Sequence, residues 1–337
     1  MEPPMSSALT DKFLRELAEN ERFAGFVVLR SIHVRQKKDG SPFLTLEFGD
    51  RSGRMPGKLW DHVEEYRKIL EPGKIVKLLG SVTTYQDQKE IQIERLRLTT
   101  PEDPVDRSRL IAVSERPVEE MRRHLRRLIE AVVQPGLRSF LRRFFDDPAI
   151  AGPWLEAPAG KLWHHCYLGG LAEHSLNMAE ILLKVAELYP HADKDLLIAG
   201  ALLHDVGKIE ELSWDTDIDY TDRGRLVGHI VLGQEILLRH RQDGEMPEET
   251  WNCLLHLLLA HQGNGEQGSP VKPQTLEAIL LYYADEMDSK ANAFNRIIQR
   301  AREQGDRWSE YIKLMERFLY AGSKPQEGGE VKEGDLF

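Results

Sequence analysis

Cysteine is nearly absent from this chain of 337 residues: Cys166 and Cys253 stand far apart and in no metal-ligand spacing. That scarcity leaves no thiolate metal motif and fits a reducing compartment. Missing too is any apolar run near the roughly 18 residues that span a bilayer, so no membrane is expected. The opening residues, MEPPMSSALTDKF, lack the basic-then-apolar layout of a secretion leader, and the expected location is the cytoplasm. No internal repeat is visible.

What is there describes an ordinary folded chain, 41% hydrophobic and 30% charged, long enough for two domains with a core each. The net charge of −10 is unevenly spread. Residues 20–100 hold fifteen Lys or Arg against eleven Asp or Glu, a balance of +4, whereas residues 101–337 carry −12. Such a basic front half allows a polyanion partner without proving one.

Residues 22–100 read as strands. FAGFVVLRSIHVRQ is rich in Val, Ile and Phe, and PFLTLEFGD alternates Phe43, Thr45, Glu47 against Leu44, Leu46, Phe48. DRSGR supplies a turn, MPGKLW a third strand, DHVEEYRKIL one short helix, then KIVKLLGSVTTY and KEIQIERLRL two more strands. Three strands, a helix and two strands is the order of a five-stranded Greek-key barrel, the OB-fold. LTLEFGDRSGRMPGKLW resembles the nucleic-acid-binding OB modules of the tRNA-synthetase type. The expected domain is 20–100, with 101–116, opening PEDPVDRSRL, as linker.

From Pro117 the apolar spacing becomes three and four, the helical period, in segment after segment through TLEAILLYYADEMDSKANAFNRIIQRA. The second domain, 117–321, is therefore expected to be all-helical, and the polar, Gly-rich 322–337 a disordered tail.

Polar groups interrupt those helices at three places. In LLIAGALLHDVGKIEEL, His204 and Asp205 end an apolar run, Gly207 reads as the glycine stopping the helix, and Lys208 follows. His174 lies on the stripe of Leu171, Ser175, Met178 and Leu182, and Asp285 lies four residues after Leu281. A buried carboxylate left unneutralised costs several kcal/mol. Two His and two Asp from three helices can all be satisfied by one divalent cation. Nitrogen and oxygen donors without thiolate favour manganese, iron, cobalt, nickel or magnesium over structural zinc; manganese is the ion expected.

The order His174, His204-Asp205, Asp285 resembles the signature of the HD-domain metal-dependent phosphohydrolases. HHCYLGGLAEHSL, LLHDVGKIEEL, YTDRGRLVGHI and the stretch from LAHQG to ADEMDSK together resemble the YhaM-type 3′→5′ exoribonuclease branch, which also carries an OB module ahead of its HD domain. The resemblance spans roughly residues 22–300. It implies that His174, His204, Asp205 and Asp285 bind the metal, with Asp205 able to bridge two ions. It also implies that His229 and His261 serve a second ion or the substrate phosphate. One departure stands out: Gln262 follows His261 where the branch has a second histidine, so a weaker second site is expected. On this reading Asp205, Lys208, His229 and His261 are catalytic, around a metal-activated water, and Arg225 is a further phosphate contact. Lys208 has an alternative use as a cation at a helix end. His164 and His165 are consistent either with supporting a ligand or with packing, Asp288 either with orienting a ligand or with facing solvent, and His256 is kept out of the site because it lies about 140° from His261 on a helix.

In the front half, Arg35, Lys37, Arg54 and Lys58 are interleaved with Trp60 and Tyr85, the pattern by which OB-folds stack bases along a basic groove; Trp60, like Phe43 or Phe48, also suits the barrel core. The expected function is a metal-dependent 3′→5′ exoribonuclease, and the expected partners are single-stranded RNA or DNA, with a homo-oligomer allowed. Two alternatives remain: a hydrolase of small or cyclic nucleotides, and a non-catalytic nucleic-acid-binding protein.

Overall fold

The computed structural model describes residues 9–322, except 38, 86, 87 and 264 and the side chain of 267. The expected tail beyond Gly322 lies outside the described residues. The chain forms two compact units. One holds the described residues up to Glu115 together with Tyr167–Gly169 and Leu212–Thr221; the other holds Arg116–Cys166, Gly170–Glu211 and the described residues from Asp222 onward.

The first unit is a closed barrel of β1 (Arg22–Gln36), β2 (Pro42–Asp50), β3 (Gly53–Leu59), β4 (Ile75–Tyr85) and β5 (Gln88–Leu98), with α1 (Val63–Ile69) between β3 and β4. Its strand order is β1-β2-β3-β5-β4, closed by the parallel pairing of β3 with β5. This is the OB-fold expected from the order of elements. A register shift between Leu29 and Ser31 bends β1, so that its first half pairs with β4 and its second half with β2. Alternation sorts the faces: Leu44, Leu46 and Phe48 fill the barrel with Leu78, Val82 and Ile91, while Phe43, Thr45 and Glu47 look outward. Between β2 and β3, the Asp50 carboxylate accepts from the Ser52 backbone N–H at 2.8 Å, which fixes the turn at Arg51-Ser52. A short hairpin, β6 (Leu212–Ser213) with β7 (Asp219–Tyr220), belongs to this unit. Its Thr216 hydroxyl donates to the Gly73 carbonyl at 2.5 Å and Asp217 meets Arg30 at 2.9 Å.

The second unit is helical: α2 (Val118–Ala131), α3 (Pro135–Asp146), α4 (Pro148–Glu156), α5 (Gly170–Leu188), α6 (Lys194–Leu203), α7 (Lys208–Glu211), α8 (Asp222–Val227), α9 (His229–His240), α10 (Glu248–Ala260) and α11 (Leu276–Gln304). The centre is α6, whose residues Asp195–Leu203 are all buried, as an apolar run without a polar face requires. Asp193 starts it by accepting from the N–H groups of Asp195 and Leu196, at 2.9 and 3.1 Å. Helix α5 packs on α6 and α11, and α10 on α6 and α9. Among the described residues no helix is long and apolar enough to cross a membrane.

Candidate metal centre

Four histidines reach one point of the helical unit, and each has its Nδ1 proton claimed elsewhere. His204 and His261 are the residues that end α6 and α10. Each donates Nδ1–H to the carbonyl three residues back, Ala201 at 3.0 Å and Leu258 at 2.7 Å, filling an acceptor that every helix end leaves open. His174, on α5, donates Nδ1–H to Asp288 at 2.7 Å, and His229, opening α9, donates to Glu211 at 3.1 Å. A carbonyl or carboxylate only accepts, so each of these rings, when neutral, turns its Nε2 lone pair inward.

Those nitrogens converge on two carboxylates. Asp205 Oδ2 lies 3.4 Å from His204 Nε2 and 3.8 Å from His174 Nε2, and Asp285 Oδ1 lies 3.3 Å from His174 Nε2. The other oxygen of Asp205, Oδ1, faces His229 Nε2 at 3.4 Å and His261 Nε2 at 3.6 Å. Asp205 thus presents one oxygen to each of two donor groups, His174, His204 and Asp285 on one side, His229 and His261 on the other. Its Oδ1 and the Nε2 of His229 are inaccessible and hydrogen-bond nothing among the described residues. An orphaned buried carboxylate oxygen is costly, and acceptors facing acceptors need positive charge between them. The donor set, four nitrogens and carboxylate oxygens without thiolate, fits a divalent metal.

The electrostatics agree. Burial alone drives the His174 imidazolium down, but its bonds to Asp285 and Asp288 outweigh that and hold it up at about 9. Burial raises Asp285, and the His174 contact then pulls it well below the usual carboxylate range. Without a cation, a second proton, on His174 Nε2, therefore helps offset the two carboxylates; a cation bound there would take its place. Asp205 is likewise raised by burial but held low by Lys208, His204 and His261. Burial keeps His261 neutral, its affinity for protons lowered despite Asp205.

Lys208 is buried here, with Nζ 2.5 Å from Asp205 Oδ2, so it steadies the carboxylate from the side of His174 and His204. Gly207 has a different reason from the one its sequence position suggests. It is not in the left-handed conformation of a helix-stopping glycine. A Cβ there would lie 1.9 Å from the His229 carbonyl oxygen, so the glycine lets α9 close in and bring His229 to Asp205. Gln262 places its amide Nε2 3.2 Å from His261 Nε2. Arg225 lies exposed on α8, and His256 accepts from the Gln274 backbone at 2.9 Å, outside the cluster.

Two supporting carboxylates join the centre from outside the six residues. Asp288, one turn beyond Asp285, holds His174 and also meets His165 Nε2 at 2.8 Å. Glu211, three residues after Lys208, accepts from both the backbone and the ring of His229. Such partners fix ring orientation and ligand basicity. Glu211 leaves no mark in the sequence, whereas the three-residue spacing of Asp288 from Asp285 does. His164 also reaches the cluster, and burial beside Lys208 pushes its imidazole down to about 2.

On the barrel, Arg35, Lys58 and Trp60 sit on the outer face that carries Phe43 and Thr45, by the registers Arg35–Phe43 and Thr45–Lys58. Trp60 is not core. It is 44% exposed, stacked on Phe43 at 4.6 Å, with Lys37 Nζ 5.5 Å above its ring. Tyr85 is 57% exposed with Lys58 Nζ 4.5 Å over its ring, and Lys58 also meets Glu90 at 2.7 Å. Arg54 is paired with Glu47 at 3.1 Å. The outer face and the two loop ends are where OB-folds take oligonucleotides.

Residues 171–290 match the family described as HD domain, and residues 22–99 the family described as OB-fold nucleic acid binding domain. The HD match includes His174, His204, Asp205, His229, His261 and Asp285. Among curated proteins, the chain is similar to the 3′-5′ exoribonuclease YhaM of Bacillus subtilis (strain 168), 31% identical over 300 residues that cover 89% of this chain and 95% of that one. The YhaM of Halalkalibacterium halodurans is 34% identical over 297 residues, 88% of this chain and 91% of that one. That of Listeria welshimeri is 31% identical over 296 residues, 87% and 93%.

Proposed function

The chain belongs to the YhaM family of 3′-5′ exoribonucleases, and on that premise we propose that it removes nucleotides from the 3′ end of single-stranded RNA by metal-dependent hydrolysis. The observation that carries this reading is the convergence of four histidine Nε2 atoms on Asp205 and Asp285, with Asp205 Oδ1 left orphaned. A phosphodiester resists hydrolysis because its charge repels the attacking water's oxygen and its leaving group departs poorly. A divalent cation supplies positive charge against the phosphoryl oxygens and acidity to the water.

His174, His204, Asp285 and Asp205 Oδ2 would hold that cation; His229 and His261 would hold a second ion with Asp205 Oδ1 or, with Nε2 protonated, donate to a phosphoryl oxygen. Manganese suits these donors, with magnesium, cobalt, iron or nickel as alternatives. Asp288 and Glu211 keep the His174 and His229 lone pairs aimed inward. Lys208 adds a buried positive charge beside Asp205, which strengthens the field felt by an approaching phosphate. On the barrel, bases would stack on Trp60 and Tyr85 while Arg35, Lys37, Arg54 and Lys58 follow the backbone. Arg225 is a further phosphate contact. The working compartment proposed is the cytoplasm, where the free Cys166 and Cys253 stay reduced.

RNA labelled at its 3′ or its 5′ end, incubated with Mn²⁺ or with chelator, tests the reading. Metal-dependent shortening from the 3′ side is expected. Turnover of mononucleotides alone would point to a small-nucleotide hydrolase, and no metal-dependent product would leave only a binding protein.

A further inference from the structure

His164 stands outside the stretch that matches the HD family, which begins at residue 171. It sits on an irregular segment between α4 and α5, yet the segment is pinned on both sides of it by α11. The Arg296 guanidinium donates to the carbonyls of Leu162 and Trp163, at 2.9 and 3.0 Å. The Asn292 side-chain oxygen accepts from the His165 backbone N–H at 2.9 Å, and the His165 ring bonds Asp288. His165 itself is held at φ +43°, a left-handed backbone that a residue with a side chain adopts only when its surroundings dictate it. Gly170 makes room for this turn, since a Cβ there would lie 2.0 Å from the His165 carbonyl oxygen. So much restraint around one residue fixes the direction of His164.

That direction is toward the metal centre. The His164 ring lies against His174, with centroids 5.1 Å apart. Donor atoms of His164, His174 and Asp205 all fall within 4.8 Å of one another. Both ring nitrogens of His164 are inaccessible, and neither has a hydrogen-bond partner among the described residues. A packing residue at this place would be apolar; a phenyl ring would fill the space without two orphaned nitrogens.

We propose that His164 is a further nitrogen ligand for the cation held by His174 and Asp205, delivered by a pinned loop where the other ligands come from helix ends and faces. The proposal rests on the metal-dependent reading above, and the test separates the two. The full chain is stripped of metal and titrated with Mn²⁺, with free ion followed by electron paramagnetic resonance and the bound ion examined for nitrogen hyperfine modulation. His164→Phe preserves volume and removes the nitrogen, and His164→Gln keeps a weak donor; circular dichroism verifies that each is folded. Mn²⁺ affinity is expected to fall about tenfold or more in His164→Phe, less in His164→Gln, with reduced histidine modulation in the first. Wild-type affinity and undiminished modulation in His164→Phe overturn the proposal, whatever happens to activity, while leaving the metal centre standing. Absence of Mn²⁺ uptake by the wild-type chain overturns the metal centre and this ligand together.

Discussion

On the barrel, Lys58 reaches Glu90 at 2.7 Å with a fifth to a quarter of each side chain exposed; in the helical unit, Lys208 reaches Asp205 at 2.5 Å with both almost wholly enclosed. The chemistry of the pair is the same and its meaning is not. A pair that keeps contact with water contributes about 1 kcal/mol and can trade its partner for a ligand's phosphate at modest cost. A buried pair stripped of one member leaves an uncompensated charge, so neither side chain is free to leave. The barrel face is therefore a surface whose contacts add up one by one. The helical centre is a closed set in which each ring is oriented by a partner and each carboxylate is counted on by several neighbours.

The sharpest way to break that contrast is Asp205→Ala. It removes both oxygens at once, and turnover of end-labelled RNA should fall by about a thousandfold or more. RNA affinity, measured by filter binding, should stay within about twofold of wild type, because the barrel face is untouched. Retained turnover would show that the two donor groups do not depend on their shared carboxylate.

A second test uses pH. The His174 imidazolium is held at about 9, above the ordinary value near 6.5. A group raised in the folded state stabilises fully below its unfolded value and loses that contribution as pH climbs through the folded one. Metal-stripped protein should therefore lose stability between about pH 6.5 and 9, on the order of 2–3 kcal/mol from this group. Metal-loaded protein, with no proton at that nitrogen, should show little of the loss. Urea midpoints at both ends of the window, with and without chelator, measure it; parallel curves would place the proton elsewhere.

Less drastic is Asp288→Asn, which leaves every metal donor present but loosens the His174 ring. A loss of about 10- to 100-fold in Mn²⁺ affinity is expected, read by the same resonance titration. An unchanged affinity would reduce Asp288 to a packing role for His165.

How much of this contrast the sequence displays depends on the range of the forces involved. Strand alternation and the helical period are local, so the barrel, the helical unit and the polar residues interrupting apolar stripes are visible along the chain. His174, His204, Asp205 and Asp285 belong to that class. Gly207 is misleading because its meaning lies in α9, at His229 twenty-two residues on, and not in the helix it follows. Trp60 reads equally as core because β3 ends at Leu59, where alternation stops sorting inside from outside. Glu211 and the orphaned ring of His164 gain their roles only from contacts across the fold. The hairpin at 212–221 sits among helices in sequence, yet its hydrogen bonds run to Gly73 and Arg30 of the barrel.

On the barrel the tests sharpen the contrast by degrees. Trp60→Ala and Tyr85→Ala should each weaken RNA binding by about 1–3 kcal/mol, the value of one base stacked on an aromatic ring. Turnover at saturating RNA should be unaffected. An effect on saturated turnover in place of affinity would mean that these rings act on the reaction and not on holding the strand.

The smallest effect belongs to Arg54. Its guanidinium already meets Glu47 at 3.1 Å, and both side chains are well exposed. Binding a phosphate means giving up that carboxylate, so the net gain from Arg54 is the difference between two similar attractions. Arg54→Ala should therefore leave stability within about 1 kcal/mol of wild type and weaken RNA binding less than either aromatic substitution does. The slope of log affinity against log salt should drop by less than about one, the value for a fully engaged phosphate contact. Glu47→Gln frees the same guanidinium and should shift the slope the opposite way. If Arg54→Ala instead cost as much affinity as Trp60→Ala, with a full unit of slope, the strand would be held chiefly by charge. The barrel would then resemble the helical centre in depending on single ionic contacts, and the contrast between the two regions would fail on the side where it rests on exposure alone.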